Sequence, residues 1–82
     1  MESNRETAAQ VIIDVMTERI KQDAKWGIQD HDAKGWLPIL TEEVGEAAKA
    51  MNENDPGLRE ELIQVAAVAM AWVEAMDRRA KG

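Results

Sequence analysis

Residues 62–73 of this chain, LIQVAAVAMAWV, form a run of twelve residues without a charged side chain. A helix built from this run is apolar on every side, and such a helix is stable only when it is covered all round. Two further helices of similar length cover only part of its circumference. We therefore expect an all-α fold, in which a three-helix chain forms a helical bundle completed by homo-oligomerisation, as a homodimer or homotetramer.

Composition excludes several classes of protein. The chain has 82 residues and no Cys, so it is expected to be one domain without disulfides or thiolate metal sites. Sixteen acidic against ten basic residues give a net charge of −6, and no Lys/Arg cluster is present, which argues against duplex nucleic acid as a partner. The charged amino terminus and the lack of an apolar run of about 18 residues predict no membrane association and a cytoplasmic location.

Apolar residues that recur at three- and four-residue steps predict three helices. The predicted helices span residues 7–24, 36–53 and 56–79 of a single domain covering residues 1–82, with a loop at residues 25–35. In the first helix, the polar residues Asp14, Glu18, Lys21 and Gln22 are predicted to lie opposite the apolar stripe. Pro38 is predicted in the first turn of the second helix, where no intrahelical hydrogen bond is lost. Asp55 is predicted to cap the third helix.

Acidic side chains lie beside the apolar stripes of two predicted helices. Glu42, Glu43 and Glu46 fall within one and a half turns of the second helix, and Glu61 and Gln64 are three residues apart on the third. Carboxylates this close repel unless a cation or protons neutralise them. Oxygen ligands without soft ones favour Mg²⁺, with Mn²⁺ possible. The alternative is that these acids form an ordinary solvated helix face.

The predicted loop carries side chains suited to a nucleotide. Lys25, Gln29 and His31 offer hydrogen bonds to a phosphate or a base, and two of the three Trp residues, Trp26 and Trp36, flank the loop. Each indole either stacks on a base or anchors the loop to the core. No glycine-rich phosphate loop is present.

These residues together resemble the all-α nucleoside triphosphate pyrophosphohydrolases of the MazG-like type. The segment from Glu18 through Lys25-Trp26-Gly27 resembles the loop region of small members, residues 42–46 resemble their EExxE metal motif, and residues 58–72 resemble the following helix. The resemblance covers about residues 18–74.

The resemblance implies Mg²⁺-dependent hydrolysis of a nucleoside or deoxynucleoside triphosphate to the monophosphate and pyrophosphate. It implies Glu43, Glu46 and Glu61 as metal ligands, and Glu42 as the acid that orients or deprotonates water. Gln64 stands where the motif usually has Asp, so its neutral amide oxygen is an unusual ligand. Three alternatives remain open: Gln64 is a neutral ligand, Glu60 or a partner-chain acid compensates, or the site binds nucleotide without hydrolysing it. A purely structural helical oligomer is a further alternative.

Overall fold

The computed structural model describes residues 3–82, and these form three helices. They are α1 (Asn4–Trp26), α2 (Ala33–Asn52) and α3 (Leu58–Lys81). The all-α class is therefore confirmed, and no strand occurs in this part of the chain. None of its helices has the length and apolar character needed to cross a membrane.

The first helix is longer than its apolar stripe predicts. Ser3 and Glu6 form a capping box, in which the Ser3 hydroxyl accepts from the Glu6 N–H and the Glu6 carboxylate accepts from the Ser3 N–H. The helix ends at Gly27, whose φ of 74° is easily adopted only by glycine and whose N–H donates to the Asp23 carbonyl. The residues that cap α1 thus lie outside the segment predicted from its apolar stripe.

The second helix begins three residues earlier than predicted, because Asp32 caps it. The Asp32 carboxylate accepts from the Gly35 N–H at 3.0 Å. The connecting loop therefore shrinks from residues 25–35 to residues 27–32. The predicted position of Pro38 is wrong: it lies inside α2, in the second turn rather than the first. The ring there removes one hydrogen bond to the carbonyl of Lys34.

The predicted cap of the third helix is also wrong. Gly57, not Asp55, occupies the capping position of α3, and no side chain caps it. The Asp55 carboxylate instead accepts from the Gly57 N–H at 2.7 Å and closes the tight connection that precedes Leu58. The Asp55 side chain therefore forms a hydrogen bond within its own turn instead of capping α3.

The third helix is the centre of the fold. Within residues 3–82, α1 and α2 each pack against α3 and not against each other. The core within residues 3–82 is small, and five of its eight members are alanines: Trp36, Ala47, Ala50, Ile63, Ala67, Val68, Ala71 and Ala75. Within residues 3–82, α1 and α2 cover only part of α3, as predicted, and Leu62, Val73 and Met76 are each more than half exposed.

Candidate functional site

A pocket lies between α1 and α2, with α3 as its floor. Its volume is about 80 Å³. It brings together five of the residues predicted from the sequence, namely Trp26, Gln29, Trp36, Glu43 and Gln64. The α1 residues Glu18, Arg19, Gln22 and Asp23 form its other wall. Two segments that are distant in sequence therefore meet here.

The polar side of α1 faces inward, which corrects the sequence prediction. Glu18 and Gln22 are half-buried and line the pocket, whereas Ile12 and Ile20 are 63% and 65% exposed. Sequence reasoning missed Glu18, Gln22 and Asp23 as wall residues. A usable signal exists, because Val15 precedes Glu18 and Gln22 at helical spacing on one face.

Glu43 is the most perturbed carboxylate of the pocket. Burial raises its pKa above the ordinary value, and the negative charges of Glu61, Glu42, Glu46 and Glu18 raise it further. Its Oε2 atom is buried and has no hydrogen-bond partner in residues 3–82. A buried carboxylate oxygen without a partner is costly, so this atom is suited to receive a proton or a cation.

The oxygen ligands that the pocket offers beside Glu43 suit a cation that retains most of its hydration shell. No three His, Asp or Glu side chains in the described part of the chain lie close enough to hold a metal ion among themselves. Mg²⁺ commonly binds through one or two carboxylates, retained waters and substrate phosphates rather than a full protein cage. Glu43 and Gln64 line the same pocket and supply one carboxylate and one amide oxygen. These donors fit Mg²⁺.

The remaining predicted acids lie next to the pocket rather than in it. Glu46 and Glu61 line a neighbouring depression together with Lys49 and Glu53. Glu42 is exposed on α2. All three are close enough for their charge to raise the pKa of Glu43. The acidic edges of α2 and α3 therefore face each other, although the carboxylates are not gathered round one point.

Arg19 fixes the α1 wall of the pocket to α3. It is the one charged residue buried among residues 3–82. Its Nε donates to Glu74 Oε2 at 2.7 Å and its Nη1 donates to Asp23 Oδ1 at 3.0 Å. Burial alone lowers the pKa of the guanidinium, but the hydrogen bonds to Glu74 and Asp23 outweigh it and the net pKa is raised. Arg19 therefore remains charged and holds the two helices together.

Trp36 serves as a core anchor, with one edge on the pocket. It is 2% exposed, and its ring meets the His31 ring edge-on at a centroid distance of 5.1 Å. Gly35 permits this approach, because a Cβ there would lie 2.8 Å from the His31 Cβ. The Trp36 indole N–H and the His31 Nε2 are both buried without a partner in the described residues. His31 itself lines a separate depression beside Trp72.

Trp26 is the aromatic residue available to a ligand. It is 57% exposed at the pocket edge, and the Lys25 ammonium lies 4.7 Å from its ring centroid. Lys25 does not line the pocket, whereas the half-buried Gln29 does. Arg78 holds this loop in place, because its Nη2 donates to the Gln29 carbonyl and to the Asp30 carboxylate.

Comparison with known proteins adds no relative to this description. The chain matches no protein-family model, no curated protein and no solved structure.

Proposed function

We propose that the chain is a cytoplasmic, homo-oligomeric pyrophosphohydrolase that hydrolyses nucleoside or deoxynucleoside triphosphates to the monophosphate and pyrophosphate with Mg²⁺, or Mn²⁺ in its place. The observation that carries this proposal is the buried, unpartnered Oε2 of Glu43, surrounded by four further carboxylates. A triphosphate alone is repelled by such a surface. A divalent cation reverses that electrostatic preference, so a metal–triphosphate complex is the natural ligand.

In this proposal Glu43 and Gln64 would bind the cation from inside the pocket, and Glu46 and Glu61 in the neighbouring depression would hold it through its retained waters. A bound divalent ion supplies charge neutralisation at the phosphates and lowers the pKa of an attacking water. Glu42, exposed beside Glu43, orients that water or accepts its proton. Arg19 acts as a positioning residue, because it fixes the wall that carries Glu18.

The nucleoside part of the ligand is assigned to the loop side of the pocket. Trp26 offers an exposed ring for stacking, with Lys25 beside it, and Gln29 offers an amide. The unpartnered indole N–H of Trp36 and Nε2 of His31 are the remaining polar groups proposed for recognition. The enclosed volume of about 80 Å³ is below the 300 Å³ or more of common ligand pockets. Only part of the nucleotide therefore enters it.

A second candidate function is nucleotide binding without hydrolysis, or a structural helical oligomer with a degenerate metal site. The specific observation that favours it is the neutral Gln64 on the pocket floor, where a carboxylate would bind a divalent cation more strongly. If the chain binds nucleotide without hydrolysis, a triphosphate raises the melting temperature but remains intact; a purely structural oligomer shows no such rise.

The deciding experiment incubates a panel of ribo- and deoxynucleoside triphosphates with the protein and Mg²⁺, followed by chromatographic separation of products. The proposal expects monophosphate and pyrophosphate from wild type, and at least 100-fold less from Glu43→Gln, since a metal ligand is lost. Asp77→Asn is the control, because Asp77 is exposed near the end of α3 and lines neither the pocket nor the neighbouring depression. Intact nucleotides across the whole panel would contradict the enzyme and favour the second candidate.

A further inference from the structure

The face of α3 that neither α1 nor α2 covers carries a regular apolar stripe. We call it the α3 seam; its members are Leu62, Ala66, Ala69, Val73 and Met76. They recur at alternating steps of four and three residues, the spacing of the contact positions in a coiled coil. Its large members Leu62, Val73 and Met76 are 52%, 55% and 59% exposed. The seam thus has the spacing of a helix–helix interface, and no other helix of residues 3–82 covers it.

The whole chain exposes enough surplus surface for a stable interface. Its accessible surface is 6201 Å², whereas a compact monomer of its mass exposes about 4,900 Å². Its radius of gyration is 14.1 Å, against about 12 Å for a compact chain of this length. A standard interface removes about 600 to 1,000 Å² from each partner. The surplus of roughly 1,300 Å² exceeds that requirement.

The helix dipole of α3 selects how two copies meet. The charged residues of its first and last turns lie about 100° or more round the helix from the centre of the seam, and Arg78 is already paired with Asp30, so these charges do not face a partner. Parallel pairing of two such helices would bring like dipole ends together, whereas antiparallel pairing places the positive end of each helix beside the negative end of the other.

The side-chain sizes along the seam fit the same arrangement. When two copies run antiparallel, Ala66 meets Ala69 of the partner subunit at the centre, and Leu62 meets Val73 of the partner subunit on either side. Small residues at the crossing point allow close approach, and larger ones fill the space where the helices diverge.

We propose that a second copy of this chain docks antiparallel on the α3 seam and forms a closed two-fold dimer. This deepens the homo-oligomer of the proposed function but does not depend on catalysis. The seam lies on the far side of α3 from the pocket residues Gln64, Val68 and Ala71, about 150° round the helix at 100° per residue. The dimer therefore leaves both pockets open to solvent.

The first test is the mass of the protein by sedimentation equilibrium. Wild type is expected at twice the 9.1 kDa of one chain, and Ala66→Glu at the mass of one chain. Ala66 is exposed in the isolated chain, so Glu is tolerated there and circular dichroism should show unchanged helicity. Ala24→Glu, an exposed position of α1, is the matched control and should remain dimeric. The proposal is overturned if the Ala66→Glu variant remains a dimer or if the wild-type protein is a monomer at 100 µM. In the second case, the partner of the seam would be an amphipathic helix of another protein.

The second test fixes the orientation, using the absence of native Cys. Under mild oxidation, the double variant Leu62→Cys/Val73→Cys should form a disulfide-linked dimer. Neither single variant should, because the two copies of each residue lie about 16 Å apart along an antiparallel pair, at 1.5 Å per residue. A crosslink in Leu62→Cys alone would show parallel pairing and overturn the proposed geometry. The rate of triphosphate hydrolysis per chain is measured on the same samples. Loss of the dimer and loss of hydrolysis can then be distinguished.

Discussion

At the scale of single residues, Glu43 destabilises the fold at neutral pH. Its pKa is raised by burial and by neighbouring carboxylates, so the folded state binds its proton more tightly than the unfolded state does. The free energy of unfolding therefore falls as pH rises from the ordinary value of 4.5 through the folded pKa. Such a cost is tolerated when the group has another use.

We expect Glu43→Gln to raise the melting temperature of the metal-free protein by a few degrees at pH 8, since about 1 kcal/mol corresponds to roughly 4–8 °C in a domain this small. At pH 4, where Glu43 is largely protonated in both states, the difference should vanish. Thermal unfolding followed by circular dichroism at both pH values checks this, with Asp77→Asn as the control. An equal shift at both pH values would mean that the effect is not electrostatic.

Gln64 offers a second residue-scale prediction, because it lines the same pocket as Glu43. Gln64→Asp should lower the Mg²⁺ concentration at half-saturation about tenfold, since an added carboxylate strengthens binding of a hard cation. The apo protein should become less stable, because the new charge joins an acidic cluster. Titration of the melting temperature with Mg²⁺ measures both effects. Gln64→Asn has the shape of Asp without its charge; if it binds Mg²⁺ as tightly, the charge argument fails.

At the scale of helices, Arg19 makes the buried polar contact that holds α1 on α3, in addition to the more exposed ion pair between Asp14 and Arg59. Replacing Arg19 by Met removes a buried charge and leaves Glu74, which is partly exposed, without its partner. We expect a loss of about 2–3 kcal/mol in the free energy of unfolding, below the full value for a buried pair because Glu74 retains some water. Urea unfolding measures it. Arg5→Met on the exposed start of α1 should change stability by less than about 0.5 kcal/mol.

The helices were predictable from the sequence, but their ends and the inward face of α1 were not. Apolar periodicity marks the residues that pack, whereas caps such as Ser3 and Asp32 lie up to a turn beyond them. Asp55 prefers its own turn to the predicted cap. The apolar residues Ile12 and Ile20 are exposed in this chain, so a single-chain interpretation of that stripe chose the wrong face.

The candidate site was predictable in part, for a related reason. The spacing of Glu43 on α2 and Gln64 on α3 is local and needs only two neighbouring helices to meet. Glu18 and Gln22 reach the same pocket because long-range contacts dock α1 on α3, namely Arg19 with Glu74 across 55 positions of sequence and Asp14 with Arg59 across 45. Periodicity carries no information about a contact of that range.

At the scale of the whole molecule, the eight apolar residues buried within residues 3–82 form a thin core. If a second copy completes it, unfolding is coupled to dissociation. The melting temperature of wild type should then rise by several degrees when protein concentration increases 100-fold. Differential scanning calorimetry across that range measures the shift, and Ala66→Glu should show none. A concentration-independent wild type would indicate that one chain is stable by itself.

Because α1 and α2 each pack only on α3, we expect one part of the chain to fold early and another late. Neighbouring helices α2 and α3, joined across residues 53–57, can pair quickly because little chain must be closed. Docking of α1 requires the Arg19 guanidinium to lose its hydration water. We therefore expect α1 to dock after the main folding barrier has been crossed. Contacts formed after the barrier change the unfolding rate and leave the folding rate nearly constant. The lifetime of the native state, rather than the speed with which it is reached, is thus governed where α1 meets α3.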